Sequence, residues 1–324
     1  MNKIICLLLA VLFLNSCGKQ PEIPITIDRM EQTLFTLPID SIAVSIPILE
    51  QRYGELLDLY SQRVIRIGSP NSPEYADELS KFLTDTYMNL AYQRVTEVFP
   101  DVKDIETGLG RAFYNYGVAF PDRVVPSIYT LISGFNESII VADNILAIAL
   151  DKYLGRNEEM YFMLDLPNYL RQVMDRKYIV ADCMKYWLYT EFPFNDSIDD
   201  VLTNILYEGK IMYALHRLLP STPDSLLFGF TSEQMRWCRN NNQQMWTFLV
   251  ENRLLYITDN LTINKLVGPA PFTSLFTRES PGRSVIWLGY RIIASYMKNN
   301  KVSLEELLED DDYLKILSKA RFKP

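Results

Sequence analysis

From Ile48 onward, apolar residues return every three or four positions, and this spacing dominates most of the chain. Leu49, Tyr53, Leu56, Leu57 and Tyr60 share one face and predict a single amphipathic helix that ends before Gly68-Ser69-Pro70. The same period predicts helices over Tyr75 to Met88, Asp101 to Tyr116, Tyr178 to Tyr189 and Ile198 to Leu219. Thr231 with Gln234, and Ser303 with Glu306, have the spacing of capping boxes and mark two further helix starts. Pro281-Gly282-Arg283 opens another helix, whose stripe is Val285, Ile286, Gly289, Ile292, Ile293, Tyr296 and Met297. The period changes between Val124 and Leu150. There β-branched residues cluster, and Asp143-Asn144 can turn the chain between Ile139-Ile140-Val141 and Ile145 to Leu150, which predicts a hairpin in a small sheet. A short alternating segment, Ile23 to Ile27, predicts one more strand in an N-terminal arm. The fold class is therefore mainly α with a small β-sheet, an α+β arrangement without internal repeats.

The N-terminus follows a different pattern. Lys3 precedes an unbroken apolar run, Ile4 to Leu14, about half the ~20 residues that cross a bilayer, so residues 1–16 are expected to be a signal peptide. Leu14-Asn15-Ser16-Cys17 resembles a lipobox, which implies cleavage before Cys17 and covalent lipid on it. Residues 17–22 are read as a tether and 23–324 as one α-rich domain. By analogy with other lipoproteins, the lack of Asp at Gly18 points to the outer membrane, and the tether has no acidic surface-export run; the periplasmic face is expected.

Composition narrows the chemistry. A net charge of −8 without any basic stripe argues against nucleic acid as a partner. The one acidic concentration, Glu305 to Asp312, reads as a solvated helix face and turn. With Cys6 in the signal peptide and Cys17 lipidated, Cys183 and Cys238 remain, both on apolar stripes; an oxidising compartment leaves a disulfide between them open. His216 is the sole histidine, so a zinc-protease helix with two histidines four apart cannot be built. It lies at the edge of an apolar stripe and reads as a packing residue. No Gly-x-Ser-x-Gly elbow, P-loop or dinucleotide fingerprint occurs. The expectation is a protein that is not an enzyme and has no cofactor beyond its lipid.

One acid is out of place. Glu208 sits amid Ile205, Ile211, Met212 and Leu215 on a helical stripe, where an ionised carboxylate needs a partner. A core ion pair, a helix cap and a pocket-lining carboxylate all satisfy that need. Arg283 stands at a helix N-terminus, a position that favours an anion, either a substrate carboxylate or an acid of the protein itself, such as Glu208. Trp187, Trp237 and Trp246 read as core and groove-edge aromatics.

Tyr129-Thr130-Leu131-Ile132-Ser133-Gly134-Phe135-Asn136, the Tyr207 to Tyr213 helix, Phe230-Thr231-Ser232-Glu233-Gln234 with Trp237-Cys238, and Gly268-Pro269 with Phe272-Thr273 and Pro281-Gly282-Arg283 together resemble the gliding motility lipoprotein GldB family. The resemblance spans the mature chain. It implies an envelope lipoprotein with the membrane as one partner and gliding or protein-secretion machinery as others. A more distant resemblance to predicted zinc proteases implies a zincin-like helical architecture, with Glu208-Gly209 and Gly289-Tyr290 fitting its later elements. Ala181-Asp182-Cys183-Met184-Lys185 then stands in the five zinc-motif positions without either histidine, so zinc and peptidase activity do not carry over. Three readings follow: a non-catalytic binder of protein or peptide in a degenerate cleft with Glu208, Arg283 and Asp182 as pocket residues, a metal-independent hydrolase with Glu208 and Asp182 as paired carboxylates, and a structural lipoprotein with a filled cleft.

Overall fold

A computed structural model describes residues 20–324. The signal-peptide and lipid-anchor readings, Cys17 included, lie outside the described residues.

The sheet is the divider of the fold. Its order is β1 (Ile27–Arg29), β2 (Ser127–Leu131), β4 (Ile145–Ala149), β3 (Ile139–Ala142). The first two pairings are parallel and β3 to β4 is antiparallel, with Asp143-Asn144 at the turn, as the sequence predicts. Strand pleating sends alternate residues to opposite faces. On β4, Leu146 and Ile148 enter the larger core, while Ala147 and Ala149 enter a second one. The first strand is displaced from the expected Ile23–Ile27. Ile27 pairs with Ile128 at the start of a ladder 101 residues away in sequence, a partner that local alternation cannot reveal.

The smaller core lies under α1 (Ile42–Tyr53) and α2 (Tyr75–Thr84). Two expected helices are broken. The Leu49 to Tyr60 stripe is interrupted at Gly54, whose φ of 47° ends α1; a short turn of helix, Glu55–Leu59, and a π-helical stretch, Tyr60–Val64, continue it. Tyr75 to Met88 divides at Asp85, which is extended and caps α3 (Thr86–Val98) through the Tyr87 and Met88 amides.

The larger core gathers α4 (Lys103–Ala119), α5 (Ile179–Glu191), α6 (Val201–Leu218), α7 (Ser232–Asn240), α8 (Ser284–Asn299), α9 (Leu304–Glu309) and α10 (Tyr313–Ala320). Both expected capping boxes are present, Thr231 with Gln234 and Ser303 with Glu306. Cys183 and Cys238 are buried free thiols, so the disulfide left open by the sequence is not formed. Glu305 to Asp312 is more than a solvated face. Lys210, 1% exposed on α6, donates to the carbonyls of Leu308 (3.1 Å) and Asp310 (3.0 Å), with Asp311 at 3.6 Å. Burial lowers its ammonium pKa below the ordinary lysine value, against the pull of Asp311.

Two helices meet backbone to backbone, α6 and α8. They cross at Gly209 and Gly289, where a Cβ on either would overlap the partner's backbone: Gly289 and Tyr290 for the first, the Ile205 carbonyl for the second. The Glu208-Gly209 and Gly289-Tyr290 pairs therefore have a packing role. Gly289→Ala should cost at least the upper end of the about 1–3 kcal/mol typical of overpacking, because the obstacle is rigid backbone. Urea unfolding checks this; an unchanged midpoint would mean that the helices do not meet here.

Candidate functional site

The crossing sets the middle of α6 beside the start of α8, and next to this junction a cleft opens between α5 and the loops around it. It has a volume of about 290 Å³ and is lined by apolar and aromatic side chains such as Leu166, Tyr178, Tyr186, Phe228 and Phe230, with Lys152, Asp182, Lys185 and Arg283 among them. A small recess of about 40 Å³ shares Lys185, Phe228, Phe230 and Arg283 with it and ends at Glu208 and Tyr189.

Arg283 is placed by two loops clasped together. The Thr273 hydroxyl donates to the Pro281 carbonyl (2.7 Å) and accepts the Ser284 amide (3.0 Å), all within the interior. Arg283 itself caps α8 in the left-handed region, φ 60°, a conformation that costs a non-glycine residue about 1–2 kcal/mol. Its Nε donates to the Val267 carbonyl (2.8 Å), and its Nη2 lies 3.3 Å from the Glu208 carboxylate. Burial would lower the Arg283 pKa, yet the Glu208 charge and Tyr189 offset this and leave it above the ordinary arginine value. Glu208 also accepts the Tyr189 hydroxyl at 2.8 Å. The phenol is held well above its usual pKa, by burial first and then by the neighbouring Glu208 charge. Of the partners open to Glu208 in the sequence, the structure has the ion pair with Arg283.

Asp182 belongs to the wider part of the cleft. It accepts the Tyr153 hydroxyl (3.0 Å) and pairs with Lys185 (3.3 Å), one turn on along α5. Sequence reading missed Lys185, Tyr153 and Tyr189. The three-residue spacing from Asp182 to Lys185 was the available signal; the tyrosines gave none. Lys152, also missed, donates to the Phe135 carbonyl (3.0 Å), and burial pushes its ammonium below the ordinary value. The Ser133 to Phe135 turn is organised by the fully buried Asp151, which accepts both backbone amides at 3.0 and 2.6 Å. That segment is structural. His216 lies at the end of α6, 3.5 Å from Asp224 and against Tyr290, outside the cleft lining. Trp187 is fully buried in the larger core, and Trp237 and Trp246 are partly buried against it. Among the described residues, no group of three or more His, Cys, Asp or Glu is arranged to hold a metal ion.

The sequence profile described as gliding motility protein GldB matches residues 16–324. The chain belongs to the GldB family. No curated protein and no solved structure matches it. GldB-family membership makes it a lipoprotein component of gliding motility, at a membrane of the cell envelope. Among the described residues, no helix is long and apolar enough to cross that membrane.

Arg283 keeps 32% of its side chain in solvent, so its pair with Glu208 is only partly enclosed. Removing Glu208 should cost about 1–3 kcal/mol, below the about 3–5 kcal/mol of a fully buried pair. A double-mutant cycle of Glu208→Ala and Arg283→Ala, read by urea unfolding, should give a coupling of at least about 0.5 kcal/mol; strict additivity would dissolve the pair.

Proposed function

We propose that this GldB-family protein is a non-catalytic envelope component that binds a segment of a partner protein in the cleft. It works at the periplasmic face of the outer membrane, held by covalent lipid on Cys17, and its partners belong to the gliding or secretion machinery. One observation carries this reading: each acid of the cleft is already engaged by a cation and a tyrosine hydroxyl, Glu208 by Arg283 and Tyr189, Asp182 by Lys185 and Tyr153. A paired-carboxylate hydrolase needs one acid poised to give up a proton and the other free to attack or to activate water. Here both carboxylates hold the walls in place. The remaining lining is aromatic and aliphatic with a few convergent polar groups, the usual character of a binding pocket, and the volume has room for a few side chains of an inserted segment.

A photoreactive residue at Tyr169, in the cleft lining, should capture the partner in cells, whereas one at the exposed Val44 on α1 should not. Adducts from Val44 alone would move the partner to the outer surface. Turnover of peptidoglycan or peptide that disappears in Glu208→Gln, or stoichiometric zinc in protein purified without chelators, would overturn the non-catalytic reading.

The anchor is tested separately. A single acyl chain holds a protein only marginally, so attachment requires more than one on Cys17. Cys17→Ala should abolish incorporation of labelled fatty acid and leave either unprocessed precursor or soluble protein with the domain still folded. Continued labelling in the membrane fraction would show that another residue carries the lipid.

A further inference from the structure

The described chain begins fastened to the domain. Gln20 donates to the Ser221 hydroxyl (2.7 Å), Glu22 pairs with Arg111 (3.2 Å), and the Ile23 amide donates to the Gly110 carbonyl (3.1 Å). The entry point therefore lies between the second half of α4 and the end of α6, which are themselves joined by Asn115 donating to the Leu218 carbonyl (2.9 Å). Cys17 is three residues before Gln20, and three residues span at most about 11 Å even when fully extended. Lipid on Cys17 thus leaves no room for the domain to stand away from the bilayer.

We propose that the face formed by Arg111, Asn115 and Val118 on the outer side of α4 and by Arg217, Pro220 and Ser221 at the end of α6 is the surface that rests on the lipid headgroups. This rests on the reading of Cys17 as the lipid anchor. The face suits an interface: Val118 is 69% exposed, Arg217 is an exposed cation on a chain of net charge −8, and Arg111, also exposed, is paired with Glu22 of the entering chain. A helix rises about 1.5 Å per residue, which puts Glu208 about 15 Å along α6 from Leu218. The cleft then lies close above the membrane, and what enters it is a partner segment held near the same bilayer.

The opposite end of α6 supplies the control. Ile198, 62% exposed, precedes the helix by three residues, and the helix itself sets Val201 about 25 Å from Leu218 along the axis. Lipidated full-length protein is prepared with one added cysteine, Val118→Cys, Pro220→Cys or Ile198→Cys, labelled with a fluorophore and bound to vesicles containing headgroup-level nitroxide lipid. Cys183 and Cys238 are buried and do not compete for label. Labels at positions 118 and 220 should be quenched several-fold more than the label at 198. Equal quenching at all three, or stronger quenching at 198, would overturn the proposed face. Protein that fails to float with the vesicles overturns the anchor reading instead, and the flotation assay records that separately.

Discussion

The close approach of α6 and α8 is the constraint on which the site depends. Two helices can come into backbone contact only where neither carries a side chain, and Gly209 and Gly289 provide that gap. Once the backbones touch, the residues beside them have fixed neighbours. Glu208 comes to face the first turn of α8, and Arg283, six residues before Gly289, is within reach of its carboxylate. The ion pair follows from the crossing, and the recess follows from the ion pair. The strained backbone of Arg283 fits the same account. A left-handed arginine is unfavourable on its own, but two clasped loops, the Val267 carbonyl and the Glu208 carboxylate determine its position.

Much of the fold was legible because its signals are local. Helix period, the two capping boxes and the Asp143-Asn144 turn each depend on residues a few positions apart, and the boxes and the turn appear where the pattern puts them. The errors have the opposite origin. At Gly54 and Asp85 apolar spacing continues on either side, yet backbone conformation breaks the helix there. The first strand was misplaced because its identity comes from a partner far along the chain. In the site, Glu208 and Arg283 stood out as charges in the wrong setting, and each is a partner of the other. Tyr189, Tyr153 and Lys152 sit in ordinary positions on amphipathic elements, so only the three-dimensional arrangement shows that they line or support the cleft.

The two cores divide the labour. The smaller one, under α1 and α2, packs against one face of the sheet and contributes no residue to the cleft. The larger one lies beside the cleft and the entry point of the chain. The sheet between them couples the two, since alternate residues of β2 and β4 belong to different cores. A disturbance on one side is therefore felt on the other through the same strands.

Lys210 has a consequence for the order in which this chain can complete itself. Its ammonium needs the carbonyls of Leu308 and Asp310, which lie 98 and 100 residues later. As the chain emerges N-terminus first, α6 carries a cation without acceptors at the centre of its packing surface until the last helices arrive. A product truncated before Leu308 would have to bury that charge unsatisfied or leave α6 undocked, and both are costly. The central helix thus acts as a check on synthesis: the interior closes fully only around a chain that has been made past Asp310.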